Sequence, residues 1–369
     1  MTPTEITEYE VLAGLPDVFL MDDGRRADTP ELWPERRQEI YRAAVELQYG
    51  TLPPPPEVME VRLLYKGHES ISCLITAGTR EKQVSFPVKL LFPHSKNAPV
   101  IIDGDMSFNY FLEPGYLDAA LSRQIGWCLF DRTVLAADVR ANGRQGGLYD
   151  VYPGYTFGAL GAWAWGYSRC VDALEILALE HFDLSMTVFT GHSRGGKTVA
   201  LAGAADTRAA IVNPNETCAG ACGCYRIHMS GRSGDREGRS ETLADLWSHF
   251  DFWLGPEMGK YSDDETRLPF DCHFLKALIA PRVLFVSEAA ADFWANPVGS
   301  LQTTLAAKEV FRMLGAEDNL LWYFREGAHA HTPGDVETLC EIILHKKDPA
   351  HPLPDTLFRA PFDIPEPIW

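Results

Sequence analysis

Cysteine is scarce in this chain, with 8 in 369 residues. That is too few, and too scattered, for a scaffold stapled by disulfides. Long apolar runs are missing too: no stretch approaches the roughly 18 consecutive apolar residues of a membrane-crossing helix. Positive charge is short, since 33 Lys and Arg against 51 Asp and Glu leave a formal net charge of −18. A field of that sign repels nucleic acid and anionic lipid, so neither is an expected partner. The opening "MTPTEITEYEVLAGLPDVF" carries neither the basic start nor the apolar run of a secretory signal. A cytoplasmic protein is expected. What is present is ordinary for a soluble globular enzyme: 46% hydrophobic and 23% charged residues, in a chain long enough for a large α/β core.

Two regions are expected: residues 1–55 as an N-terminal helical appendage and linker, and 56–369 as one catalytic domain. In "TPELWPERRQEIYRAAVELQYG", Thr29 is placed to cap a helix, with Pro30 at its first position and Gly50 past its end. "LPPPPE" follows as a stiff linker. "VMEVRLLYKG" and "QVSFPVKLLFP" alternate as antiparallel strands do. "APVIIDGD" and "GWCLFDRTVLAADV" are nearly all apolar, as strands buried on both faces are. "YTFGALGAWAWGYSRCVDALEILALE" has the apolar stripe of a helix. "TVFTG", "AAIVNPNE", "PRVLFVSE" and "NLLWYFREGAHAH" are further strands ending in polar residues, with helices such as "LAAKEVFRMLG" between them. Strands alternating with helices predict a three-layer α/β sandwich around a mostly parallel sheet.

The chemistry is expected at one corner. "GHSRG", residues 191–195, fits G-x-S-x-G, the nucleophile elbow of α/β-hydrolases. An apolar strand precedes it and a helix follows, which is the context that gives the pattern meaning. Ser193 must stand proud of a tight turn, where side chains at Gly191 and Gly195 would collide. The helix that begins there aims backbone N–H groups at a developing oxyanion.

A serine hydroxyl needs a base. In this fold the order is serine, acid, histidine, and "REGAHAHTPGD" offers His329 and His331 after the last strand. His329, directly behind the strand end, is the first choice, and His331 is the alternate base. Read as a metal-binding pair, the same H-x-H lacks an accompanying carboxylate set. Two acids compete. Asp292, in "SEAAADFWANP", has the usual spacing before the histidine; Glu216 closes "AAIVNPNE" one strand earlier. A cysteine cluster, "TCAGACGC" with Cys218, Cys222 and Cys224, lacks the second pair a zinc site requires and reads as packing in a tight loop. No metal or other cofactor is expected.

"GHSRGGK", "NPNETCAGACGCYR", "RLPFDCHFLKALIAPRVLFV" and "DFWANP", in that order, resemble the glucuronoyl esterases, a carbohydrate esterase family. The likeness spans about 190 residues, from "GALGAWAWGYSRCVD" to the C-terminal helix. It implies an α/β-hydrolase that cleaves esters of glucuronic acid. It also implies that the acid is a glutamate after the strand that follows the nucleophile, the place Glu216 occupies, with Asp292 as the alternate. By the same resemblance Arg194 stabilises the oxyanion, Lys197 hydrogen-bonds sugar hydroxyls and Trp294 lines the sugar subsite. The family's G-C-S-R often carries a cysteine that pairs with one at the position of Cys224. Here His192 stands in its place, so that bridge cannot form, and a reducing compartment explains the loss.

The expected activity is hydrolysis of a carbohydrate ester by a serine–histidine–glutamate triad through an acyl-enzyme. The substrate is a small molecule or an oligosaccharide ester taken up from outside. An acetyl esterase acting on sugars or xylo-oligosaccharides is the alternative within enzymes. An inactive hydrolase fold used for binding is the alternative outside them. The sequence leaves the oligomeric state open.

Overall fold

The structure is a computed structural model that describes residues 4–369. Its twelve strands form two sheets. The N-terminal β1 (Glu5–Val11) belongs to the smaller one. The larger opens with an antiparallel meander of β2 (Val58–Lys66), β3 (Ser70–Gly78) and β4 (Gln83–Leu91). The sequence reading took this region as two strands. The third, β3, buries Ile71, Cys73, Ile75 and Ala77 and turns the residues between them outward, a period-2 signal in full view.

Beyond the meander the strands run parallel: β5 (Ala98–Asp103), β6 (Gly126–Phe130), β7 (Phe182–His192) and β8 (Ile211–Asn215). Next come β9 (Ile227–Ser233) and β10 (Arg236–Arg239), which leave the main sheet, and then β11 (Val283–Ala289) and β12 (Leu320–Arg325), which rejoin it. The nine-stranded order is β12-β11-β8-β7-β5-β6-β4-β3-β2. Central strands read as unbroken apolar runs because both faces are covered. Val100 and Ile102 of β5 enter one core while Ile101 enters the other; Cys128 and Phe130 of β6 are likewise opposed to Trp127 and Leu129. Helices Ala159–Leu177, Arg194–Ala205 and Pro297–Met313 cover the first face. Tyr116–Leu121 and Pro333–Lys347 cover the second. No helix among the described residues is long and apolar enough to cross a membrane.

Residues 1–55, expected as a helical appendage and linker, also carry strand β1, and their helix packs into the main core. Trp33, Ile40, Ala44 and Val45 lie in the same core as the helices around the main sheet. β1 pairs antiparallel with β9, closing a three-stranded sheet β1-β9-β10. Burial of this apolar surface and completion of a strand ladder fasten the segment to the catalytic body. The helix also starts later than Thr29 and Pro30 imply. Residues 29–32 close a separate turn, Leu32 N–H donating to Thr29 O, and the helix runs from Trp33 with Pro34 in its first turn. Gly50 does end it, at φ 82°. A Cβ there would lie 2.2 Å from Thr156 O, so only glycine fits.

Candidate active site

Strands β5, β7, β8, β11 and β12 all end at the same edge of the sheet, the usual ligand side of an open α/β fold. Ser193 follows β7 there, with φ 57° and ψ −119°, at the N-cap of helix Arg194–Ala205. Positive φ in a non-glycine residue is costly and persists only where its surroundings enforce it. The enforcement is visible. Ser193 N–H donates to Asn215 O at 2.9 Å. A Cβ on Gly191 would lie 2.7 Å from Gly195 O, and one on Gly195 would lie 2.3 Å from both carboxylate oxygens of Asp105. Asp105, buried after β5, accepts from His192 N–H at 2.8 Å and is ion-paired to the fully buried Arg132. The elbow is therefore braced from beneath by a buried carboxylate that sequence reasoning missed. Its only signal was an acidic residue ending an apolar strand, in "IIDGD".

His329 stands on the loop after β12 with 41% of its side chain exposed. Its Nδ1–H donates to Asp292 Oδ2 at 2.6 Å, and Glu216 Oε2 lies 3.3 Å from the same nitrogen. Both candidate acids thus reach one imidazole nitrogen, and Asp292 is the nearer. Burial pulls the imidazole pKa down, but the bonds from Asp292 and then Glu216 outweigh it and raise it to about 10. Glu216 follows β8 at φ 46° and is wholly enclosed. Burial lifts its carboxyl to about 7, against the His329 hydrogen bond and the charge of Arg325. Arg325 Nη2 donates to Glu216 Oε1 and the Ala330 N–H to Oε2 at 3.0 Å. Arg325 also donates to the carbonyls of Ala328 and Ala330, so it shapes the loop that carries His329. It too was missed, although it ends β12 in "YFREGAHAH".

His331 is placed differently. It is buried, and its Nδ1 shares a 3.0 Å hydrogen bond with the hydroxyl of Tyr116, which donates to Asp103. Its ring lies nearly parallel to that of His192 and edge-on to Tyr110. Neither Glu216 nor Asp292 is among its partners, and burial pulls its pKa below the ordinary imidazole value.

A strained serine at a helix N-terminus and an imidazole on two carboxylates, at the same edge of one sheet, form a constellation found on hydrolases. A family model for fungal glucuronyl esterase matches residues 75–315. The chain belongs to the glucuronoyl esterase family. The 4-O-methyl-glucuronoyl methylesterase of Hypocrea jecorina is 30% identical over 365 residues, covering 97% of this chain and 75% of that protein. A carbohydrate esterase family 15 glucuronoyl esterase from Caldicellulosiruptor kristjansonii superposes with a TM-score of 0.84 at 28% identity, over 97% of this chain and 96% of that one. A serine-to-alanine variant of the Sporotrichum thermophile glucuronoyl esterase, solved with methyl 4-O-methyl-beta-D-glucopyranuronate, gives 0.75 at 25% identity, over 94% and 89%. The fold is that of the α/β-hydrolases, and the protein is a carboxylic ester hydrolase.

Other residues around the catalytic groups of the esterase divide into open and closed. Arg194 keeps its first-turn backbone N–H beside the nucleophile, while its guanidinium donates to Asp138 at 2.8 Å and lies 4.8 Å above the Trp253 ring. Trp294 is 40% exposed, two residues beyond Asp292, with Arg239 over its ring. Lys197 departs from the sugar-contacting part expected of it. It is buried, and its ammonium donates to Thr217 O, Ala219 O and Glu241 Oε2. An ammonium has three hydrogens, and protein oxygens take all of them.

That pairing also explains "TCAGACGC". Its backbone wraps two buried lysines, offering the Thr217 and Ala219 carbonyls to Lys197 and the Cys222 carbonyl to Lys276. Small residues let the chain curl this tightly. Burial pushes the three thiols up from their ordinary pKa, the reverse of what metal ligation requires.

Proposed function

We propose that the protein hydrolyses esters of glucuronic acid, with Ser193 as nucleophile, His329 as base and Asp292 and Glu216 together as the acid. The observation that carries this reading is the shared nitrogen: Nδ1 of His329 faces Asp292 at 2.6 Å and Glu216 at 3.3 Å. With Nδ1 so occupied, Nε2 is the nitrogen left to accept the Ser193 proton. Ser193 attacks the ester carbonyl, and His329 takes its proton and returns it to the departing alcohol. Water then repeats the attack on the acyl-enzyme. The amide of Arg194, first in its helix and without an intrahelical partner, supports the oxyanion. Glu216 was the first choice for the acid; the shorter contact gives Asp292 the larger share.

The uronoyl class of substrate rests on the family and on its relatives, one named a 4-O-methyl-glucuronoyl methylesterase and one solved with a methyl uronate ester. Trp294, partly exposed two residues after Asp292, offers a sugar ring aromatic surface. Eight free, buried cysteines fit a reducing compartment, where the substrate is a short imported uronoyl ester rather than a wall polymer. Hydrolysis of methyl glucuronate, compared with release of acetate from acetylated xylo-oligosaccharides, is the test. Faster turnover of the acetylated sugar would sink the uronoyl assignment.

A further inference from the structure

One side chain next to the nucleophile has no part in the ester chemistry. His192, the last residue of β7, lies with its ring 4.4 Å from that of His329. One ligand-type atom from each of His192, Glu216 and His329 lies within 4.8 Å of the other two. His192 ends β7 and Glu216 follows β8, so two corners of the triangle stand on neighbouring strands of one sheet, and His329 reaches them from the loop after β12.

Both imidazoles are already held as metal-bound histidines are. His192 donates through Nδ1 to Asn215 Oδ1 at 2.5 Å, and His329 through Nδ1 to Asp292 Oδ2 at 2.6 Å. An oxygen on one ring nitrogen fixes tautomer and orientation, and in the neutral ring leaves the lone pair of the other to coordinate; His329, whose carboxylate partners favour its charged form, must release a proton when the ion binds. Asn215 is fixed in turn, because its amide donates to Ser287 Oγ at 2.9 Å and so turns its oxygen to His192. Two imidazole nitrogens with one carboxylate oxygen are a donor set suited to zinc. Bonds of about 2.1 Å put tetrahedral ligand atoms about 3.4 Å apart, so closing the triangle needs a movement of its side chains. His329, half exposed on its loop, can supply it. Arg325 opposes a cation here, and the carboxylate of Asp292 offsets it.

We propose that His192, Glu216 and His329 form a reversible binding site for a zinc-class divalent ion, with water as the remaining ligand. An imidazole bound to metal cannot take the Ser193 proton, so the metal-bound protein is an inactive form. That last clause rests on the catalytic roles proposed above; the binding site itself does not.

The test is titration of the metal-free Ser193→Ala protein with zinc, followed by calorimetry, and with cobalt, followed by its visible spectrum. Expected are one ion per chain and the strong absorption of low-coordinate cobalt, with affinity at least tenfold weaker in Ser193→Ala/His192→Asn. His249→Asn, at an exposed histidine, should leave affinity unchanged. In the unsubstituted protein zinc should inhibit ester hydrolysis and a chelator restore it. Absence of stoichiometric binding, or a cobalt spectrum no different from the hydrated ion, overturns the proposal. So does equal affinity with and without His192. Should the His192 variant not fold, Glu216→Gln replaces it with the same expected weakening. Zinc binding in a protein that hydrolyses no uronoyl ester would leave this site standing and overturn the catalytic reading.

Discussion

His329 and His331 leave the same loop two residues apart and enter opposite surroundings. His329 faces the crater, half exposed, with two carboxylates on one nitrogen, and its pKa is raised to about 10. His331 turns into the sheet edge, bonded to Tyr116, and burial pulls its pKa down against the charges of Asp335 and Asp103. Burial disfavours the imidazolium of both. Only His329 has anions in direct contact to reverse the sign. The lesson is that the second partner, more than depth in the protein, decides which histidine can carry a charge through a reaction. His331 is suited to a fixed job: its ring packs against His192 and Tyr110 and supports the floor beneath the elbow.

The comparison is broken most directly by removing the groups themselves. Ser193→Ala should lower kcat by about 10⁴-fold or more, with the fold retained, because the glycines and Asp105 shape the turn and the hydroxyl does not. A variant keeping a tenth of the wild-type rate would remove the nucleophile from Ser193. His329→Ala should approach the serine variant in kcat. His331→Ala opens a cavity beside Tyr116, so it should lower the melting temperature while kcat falls by less than about tenfold. Equal losses of kcat in the two variants would show that the contrast between them is not catalytic.

Next in size are the acids. Replacing either by its amide removes an anion that stabilises the imidazolium. The loss reaches about 10⁴-fold in a protease triad with one acid. With two acids on one nitrogen each single loss should be smaller, and Asp292→Asn should cost more than Glu216→Gln because its contact is shorter. The double variant should then lose more than either, with clear non-additivity, as expected of groups that share a partner. The pH profile gives the sign independently. The base must be neutral, so a raised pKa puts the acidic limb of kcat/KM well above the ordinary imidazole value near 6.5. Removing an anion lowers that pKa, so Asp292→Asn should move the limb to lower pH. A limb that stays put would mean that it reports another group.

Much of this was legible in local sequence. The apolar runs gave the parallel strands because sheets covered on both faces demand them. The elbow glycines marked Ser193, and chain order led to His329, Glu216 and Asp292, which the fold does bring together at one imidazole nitrogen. What escaped depends on distant pairing. β1 bonds to β9 across most of the chain, and nothing in "EITEYEV" announces its partner. Asp105 acts through Arg132 and the elbow, and Arg325 through Glu216, so each is defined by a neighbour that only the folded chain supplies. Lys197 was misread for the same reason. Its place one helical turn after the nucleophile was visible, whereas the three oxygens that bury its charge come from residues 217, 219 and 241.

The smallest expected effect concerns Trp294, and it sharpens the division between open and closed parts of the crater. Lys197 is closed off and Trp294 is not: the ring is 40% exposed, two residues after Asp292 in the chain, with Arg239 over one face. An aromatic face of this kind contributes roughly 0.5–1.5 kcal/mol to a stacked partner beyond the area it covers. At about 1.4 kcal/mol per factor of ten, that is some two- to tenfold in affinity. Such binding energy is gained equally in ground and transition states, so its loss appears in KM and leaves kcat alone. Trp294→Ala should therefore raise KM for methyl glucuronate by that factor, with kcat nearly unchanged. For p-nitrophenyl acetate, whose acyl part has no sugar ring, neither constant should move. If both substrates lose kcat together, the indole acts through Asp292 and His329, as a support for the acid, and the sugar lies elsewhere in the crater.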